Sequence, residues 1–531
     1  MRRLASLIFL VALVLPQRHA RLGAQAVPTR GSTRTTPKPP RLVVALVLDQ
    51  FRPDYFDRWK GEFTGGLAKL LQHAVFYRHG EQDHAMTETA PGHATMLSGR
   101  SPASTGILSD NLGVGDPQRA LIGSTGSGAS PRRFIGSTLV DWMLARDTAT
   151  KVLSISFKDR SAILTVGRAN VPTFWYSAGR FTTSKYYADS LPGWLSGWNA
   201  ADPIATLKGM RWSLSRESSF YPEVDDRPYE RGGTDRVFPH ILPDDWARAA
   251  SAIERFPISD SLTMDVTLRG IRAMRLGQRD GTDLVALSLS ATDYVGHEWG
   301  PGSREMHDHV LKLDRWLGVF LDSLATIVPQ DQMIITLTAD HGGQEWPEAG
   351  KGIRVSLWPQ VQALNAWAKR RWRLDLAAAR TDGLLYGDFA ALKARGVNVD
   401  SLADAVAAEV RALPGVRQVY TPRSLARDQS LDAMRWKRAL PPTLSWLIAT
   451  SVDDGVVVDY PSTITGHGTT NVADVEVPLM FWVPGLKPAR IERHARTVDL
   501  GPTLAALLGI RPTERVEGVA LPEITGRPTR R

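Results

Sequence analysis

The feature that most constrains this chain is a short apolar run with no alternation, "LVVALVL" at residues 42–48, closed by Asp49. A strand with one wet face alternates apolar and polar residues, so an unbroken run marks a strand covered on both faces of a parallel sheet. Similar runs recur as "KVLSISF" from Lys151, "LVALSLS" from Leu284, "MIITLTAD" ending at Asp340, and "VPLMFWVPG" from Val477. Between them lie helical patterns. From Met306 to Leu324, the residues Val310, Leu313, Leu317, Phe320, Leu321 and Leu324 recur at spacings of three and four. Strands alternating with helices predict an α/β fold whose central, mostly parallel sheet is flanked by helices. Near the end, "VDLGPTLAALLGI" predicts a short helix with Asp499 as N-cap and Gly509 closing it.

With 531 residues, 43% of them hydrophobic and 22% charged, the chain can bury a large core, which excludes disordered and fibrous classes. It has no cysteine, which excludes disulfides, thiolate nucleophiles and cysteine metal sites. Arg2 and Arg3, an apolar run from Leu4 to Leu15 and small residues up to Ala26 follow the order of a signal peptide cut after Ala26. That order predicts a periplasmic or secreted protein. No other apolar stretch is long enough to span a bilayer. Residues 27–40, rich in Thr, Pro and Arg, read as a flexible linker, with the folded domain running over 41–531. Of the net charge of +9, residues 1–40 supply seven Lys/Arg and no acid, which leaves +2 for the rest. Nucleic acid is therefore not indicated as a partner, and a weak pull on small anionic substrates is the most the balance supports. Two segments, about 161–280 and 344–460, are rich in Trp, Pro, Arg and Gly and read as insertions forming a cap over the sheet. In the second, "LADAVAAEVRALPGVRQVY" reads as a helix, a Pro-Gly turn and a strand of a small appended subdomain.

Four of the runs lead into charged or imidazole side chains: Asp49; Lys158 and Arg160; Asp293 and His297; Asp340 and His341. Ligands of open α/β sheets bind beyond the carboxyl ends of the strands, so these positions should converge. Any one of these Asp residues alone would be an ordinary turn or cap. Together with His467 in "TITGHGTT" they make six oxygen and nitrogen ligands, a set suited to two divalent transition-metal ions, Zn²⁺ foremost. Two such ions about 4 Å apart clamp an in-line displacement at phosphorus, and a hydroxyl beside them becomes a nucleophile. Thr89 in "TETAPGHATMLSG" offers that hydroxyl.

The stretch "TAPGH", with "LVLDQFRPDYF" upstream and "SGRSPASTGILSDN" downstream, resembles the nucleophile region of the alkaline phosphatase superfamily. "SISFKDRSAI" and "FWYSAGRFTTSKYYADSLPGWLSGWN" resemble more narrowly the PafA-type, phosphate-irrepressible alkaline phosphatases. The likeness runs from Arg41 to about Ile510, with the motifs in the family's order. It implies that Thr89 is the nucleophile, transiently phosphorylated. It further implies one zinc held by Asp293, His297 and His467, and a second by Asp49, Asp340 and His341 with the Thr89 hydroxyl beside it. Lys158 and Arg160 would contact the phosphoryl oxygens. The implied activity is an exported phosphomonoesterase with two Zn²⁺ per chain, acting on small phosphorylated substrates as a monomer and inhibited by its product, inorganic phosphate. Thr87, Thr95 and His93 read as structural.

One departure stands out. The family carries an Asn donor four residues after a glycine; counting from Gly106 gives Asp110, with Asn111 next. Either the loop shifts so that Asn111 reaches in, or a carboxyl sits there. Two other enzymes compete with the monoesterase. A phosphodiesterase or nucleotide pyrophosphatase resembles the chain in nucleophile and metal motifs, but its singly charged substrate gains less from Lys158 and Arg160. An arylsulfatase would need Cys or Ser where Thr89 stands. An inactive phosphate- or glycan-binding protein predicts missing ligands, and all six are present.

Overall fold

A computed structural model describes residues 39–526; the signal-peptide and linker expectations for residues 1–38 lie outside them. In chain order the main sheet is built from β1 (Leu42–Leu48), β2 (Val75–Glu81), β3 (Val152–Ser156), β4 (Thr173–Ser177), β5 (Arg180–Thr182), β6 (Asp283–Leu289), β7 (Met333–Thr338), β8 (Glu476–Trp482), β9 (Ala489–Ile491) and β10 (Ala495–Arg496). Across the sheet the order is β9-β2-β8-β7-β1-β6-β3-β4-β5, with β10 also pairing β2. The helices that concern the site or the core are α1 (Thr89–Met96), α2 (Asp159–Val166), α3 (Ile258–Met274), α4 (Ala291–Trp299), α5 (Arg304–Ala325) and α6 (Leu500–Leu507).

The central strands β7, β1, β6, β3 and β4 are parallel, with Val44 opposite both Val285 and Ile335. The missing alternation has a direct cause. Leu42, Val44, Leu46 and Leu48 of β1 enter one hydrophobic core, while Val43 and Val47 enter another on the opposite face. The first core is covered by residues of α3 and α5, and the second by residues of α6. The predicted stripe of α5 is buried along its length, from Met306 through Leu324.

Three local expectations are corrected. The run at 477 is a strand, but β8 lies antiparallel between β7 and β2, so its start rather than its end faces the same way as the ends of its neighbours. The segment 161–280 does more than cover the sheet, because β4 and β5 extend its edge. Asp499 precedes α6 without capping it; its carboxylate accepts from the backbone N–H of Arg496 (3.1 Å) and of Val519 (2.8 Å). Within 344–460, Ala379–Thr381, Leu384–Tyr386, Trp446–Val452 and Val416–Tyr420 form a four-stranded antiparallel sheet in that order, and residues of the helix Val399–Arg411 share its apolar cluster.

One buried acid ties two helices together. The helix Gly66–His73 starts at glycines with no capping side chain, and Asp314 of α5 supplies the acceptor instead. Its two oxygens accept from the N–H groups of Thr64, Gly65, Leu67 and Ala68 at 2.7 to 3.2 Å. A Cβ on Gly65 would lie 2.1 Å from the Asp314 carbonyl oxygen, so the approach that makes the cap requires glycine. Asp314→Ala leaves these donors without an acceptor and is expected to destabilise the fold by about 3 kcal/mol. Guanidinium unfolding measures this, and a loss below about 0.5 kcal/mol, the range of ordinary surface changes, would show that the cap is not stabilising.

Candidate active site

The parallel strands β7, β1, β6 and β3 are neighbours, so their carboxyl ends bring four short segments to one place. Asp49 follows β1, and its N–H bonds to Leu289 O at the end of β6 (2.9 Å). Asp340 and His341 follow β7. Lys158 follows β3 at the head of α2, which begins at Asp159. Asp293 and His297 sit one turn apart on α4, four residues being the spacing that puts both on one helical face. His467 arrives from the loop before β8. Two groups of possible metal-ligating atoms result, each within 4.8 Å: Asp293, His341 and His467, and Asp49, Asp340 and His341. His341 belongs to both, and His297 Nε2 adds to the first at 3.3 Å from Asp293 Oδ1. All six predicted residues are thus brought together.

The imidazoles are oriented by the backbone. The Nδ1–H groups of His297, His341 and His467 donate to the carbonyls of Thr465 (2.7 Å), Gly342 (2.8 Å) and Thr87 (2.8 Å). A carbonyl only accepts, so each Nδ1 carries a proton and Nε2 is the nitrogen turned toward the site. Burial, with the His341 and His297 rings close by, pushes His467 well below the usual histidine range and keeps it neutral. The carboxylates are less fully served. Asp49 Oδ1 is buried without a hydrogen bond, and the ion contact of Asp49 is with Lys158 through Oδ2. Burial and the neighbouring Asp340 raise Asp49 well above the usual carboxylate range. Burial also opposes ionisation of Asp293, but Lys158 and His297 outweigh it and hold that acid well below the range.

Thr89 is the first residue of α1, with Glu88 at the N-cap position, so its hydroxyl lies at the positive end of the helix rather than capping it. Its Oγ1 is 3.3 Å from Lys158 Nζ and 3.5 Å from His341 Nε2. Lys158 Nζ also meets Asp49 (2.8 Å) and Asp293 (2.5 Å) and faces the Tyr294 ring at 5.2 Å. Burial alone would lower its pKa; the two carboxylates reverse this and keep it charged. The "TAPGH" pattern now has a steric reason. A Cβ on Gly92 would lie 2.2 Å from the Asp340 carbonyl oxygen, so only glycine lets α1 lie against the end of β7. His93 bonds Thr89 O (2.9 Å), accepts from the Ser288 hydroxyl (2.9 Å) and lies 3.2 Å from Asp340 Oδ2, which fixes the Thr89 turn to two strands. Thr87 and Thr95 spend their hydroxyls on the carbonyls of Thr469 (3.0 Å) and Gly92 (2.7 Å).

Arg160 Nε pairs with Asp110 Oδ2 at 2.7 Å, and Asp110 Oδ1 accepts from Ala90 N–H at 2.7 Å. Asp110, not Asn111, therefore faces the Thr89 turn; Asn111 is exposed. Sequence reasoning missed Gln50. Its N–H donates to Asp340 Oδ1 and its amide to Asp293 Oδ1, both at 3.1 Å, so one residue braces both groups. It adopts a φ of 60°, an unfavoured conformation for a non-glycine, and its place directly after Asp49 was the only signal.

Residues 43–470 match the profile of the type I phosphodiesterase / nucleotide pyrophosphatase family. The chain belongs to that family. Within it, the chain is 29% identical to the alkaline phosphatase PafA of Elizabethkingia meningoseptica over 95% of its own length and 97% of the relative's. It is 30% identical to the alkaline phosphatase PhoK of Sphingomonas sp over 92% of each. The crystal structure of wild-type PafA superposes with a TM-score of 0.84 at 28% identity, covering 94% of this chain and all of that one. The family assignment and the fold match make the protein an enzyme related to the alkaline phosphatases. For such an enzyme, the contact of α1 with β7 has a kinetic consequence. Gly92→Ala should lower phosphoester turnover about 100-fold by displacing the turn that carries Thr89, whereas Gly193→Ala, with open space around it, should not. Equal rates in the two variants would disprove the steric account.

Proposed function

We propose that the protein hydrolyses small phosphate monoesters with Thr89 as nucleophile, and that it acts outside the cytoplasm. The observation that carries this reading is the placing of a buried threonine hydroxyl between an ammonium and an imidazole at a helix N-terminus. A helix N-terminus favours an anion, and Lys158 adds a full charge beside the oxygen that would attack. Arg160 stands at the rim, where a guanidinium fork suits a phosphoryl group.

The residues fit a pair of divalent metal ions, for which Zn²⁺ is the proposed identity. Asp293, His297 and His467 would hold one, and Asp49, Asp340 and His341 the other beside the Thr89 hydroxyl. The fit rests on Asp49 Oδ1, buried without a hydrogen bond, and on three imidazoles whose Nδ1 is held by the backbone so that Nε2 faces the site. When bound, such ions supply Lewis-acid charge that lowers the pKa of a nearby hydroxyl and offsets charge on the leaving oxygen.

The chain's own part is a two-step displacement. The Thr89 oxygen forms a bond to phosphorus as the bond to the alcohol oxygen breaks; the threonine proton is released and the alcohol takes one from water. Water then attacks the phosphothreonine from the vacated side, restoring the hydroxyl and releasing phosphate. Gln50 and His93 keep the carboxylates and the turn in register throughout.

A diesterase is the second reading, and one observation favours it. A cavity of about 790 Å³ opens beside Lys158 and Arg160, walled by Phe157, Trp175, Tyr176 and Trp246, with room for a second substituent. Initial rates on a chromogenic monoester and the matching diester separate the two readings, and faster diester hydrolysis would overturn the first. Thr89→Ala should lose monoesterase turnover by about 1,000-fold or more while retaining metal; a rate within tenfold of wild type would remove Thr89 from the nucleophile's role. Dialysis against a chelator should abolish activity and lower the melting temperature, with Zn²⁺ restoring both. Unchanged melting and rate after chelation would rule out the metal reading.

A further inference from the structure

The Thr89 turn already holds an anion of its own. Asp110 places one carboxylate oxygen on the Ala90 N–H and the other on Arg160, both at 2.7 Å. These are two donors, one from the backbone of α1 next to Thr89 and one from the guanidinium. The contact is built from both sides: Asp110 N–H donates to Glu88 Oε2 at 2.7 Å, and Glu88 is further held by the Thr381 hydroxyl at 3.2 Å. Glu88 and Asp110 thus clasp each other across the residue that carries the hydroxyl. Arg160 has one other acid near it, Asp159 at 3.9 Å, so Asp110 is its principal partner.

We propose that Asp110 is a specificity-determining residue: its carboxylate competes with the substrate's phosphoryl oxygens for Arg160 and so reduces the enzyme's preference for doubly over singly charged phosphate esters. The inference rests on the proposed role of Thr89, since it requires the phosphoryl group to lie at this turn. A monoester carries close to two negative charges above pH 7, a diester one. A fixed carboxylate at the rim repels the first about twice as strongly and cancels the cation that would reward the extra charge. The clasp fixes where the carboxylate sits, so its position does not depend on substrate. The neighbouring Asn111 is exposed.

The substitution Asp110→Asn isolates the charge. Its carbonyl oxygen can still accept from Ala90, the backbone link to Glu88 is untouched, and only the anion opposite Arg160 is removed. The test measures kcat/KM of the Zn²⁺-loaded full-length enzyme on p-nitrophenyl phosphate and on bis-p-nitrophenyl phosphate, with inhibition by inorganic phosphate alongside. The monoester-to-diester ratio should rise about tenfold or more, phosphate should inhibit more tightly by a similar factor, and Asp110→Ala should move the ratio the same way. In an Arg160→Ala background the rise should vanish. Equal changes on both esters, or a rise that persists without Arg160, would overturn the inference and leave Asp110 a loop anchor. If Thr89→Ala abolishes turnover while the ratio in Asp110→Asn stays fixed, this inference alone fails. Wild-type rates in Thr89→Ala would remove the nucleophile assignment and this inference with it.

Discussion

Three carboxylates brought to the ends of adjacent buried strands set the terms for the rest of the site. Asp49, Asp293 and Asp340 are each at most 3% exposed, and in so poor a solvent for charge they repel one another unless cations stand between them. The chain's own supply is one ammonium, Lys158, bridging Asp49 and Asp293. The three imidazoles turn Nε2 toward the site because their backbone bonds hold Nδ1, and His297 adds positive character beside Asp293. Crowded carboxylates and ring nitrogens in one buried place make an arrangement that favours divalent cations, and the neighbouring architecture serves to hold it. Gln50 bonds to Asp293 and Asp340, His93 lies against the second of these, and Gly92 lets α1 close over the end of β7.

Much of this was legible in the sequence because the central strands are pure cases. A strand covered on both faces leaves a run that needs no tertiary knowledge to recognise, and in a parallel sheet the residues after each run must gather at one edge. That argument alone brought Asp49, Lys158, Asp293 and Asp340 together. It could not reach His467, whose strand runs the other way, so that its position precedes β8; there the histidine between glycines in "TITGHGTT", completing a set of six ligands, was the signal. Nor could it see that His341 stands between the two ligand groups, since that depends on a rotamer fixed by the Gly342 carbonyl.

What stayed hidden involves partners distant in the chain. Asp499 has every local mark of an N-cap, yet Val519, 20 residues on, takes its carboxylate. Gln50 reads as a loop residue until Asp293 and Asp340, more than 240 positions away, are seen to bond it. Counting along the chain left Asp110 and Asn111 undecided, because one residue of slip in a short helical turn reverses which side chain faces inward. The hydrogen bond to Ala90 fixes that register, and it is a bond between two segments rather than a property of either.

Lys158 and Arg160 illustrate why membership of a phosphodiesterase family and likeness to alkaline phosphatases are compatible. The two cations leave one turn, two residues apart, but enter different surroundings. Lys158 is buried among the carboxylates and lies 3.3 Å from the Thr89 hydroxyl, so under the proposed mechanism its charge serves the reacting centre whatever ester is bound. Arg160 lies at the rim with a quarter of its side chain exposed and paired with Asp110, where by our proposal its charge counts only as far as Asp110 leaves it free. A fold of this kind can therefore keep one reacting centre and change which phosphate ester it prefers by altering a side chain opposite a rim cation. The buried cluster fixes the chemistry, and the half-exposed pair is where selectivity can drift without disturbing it.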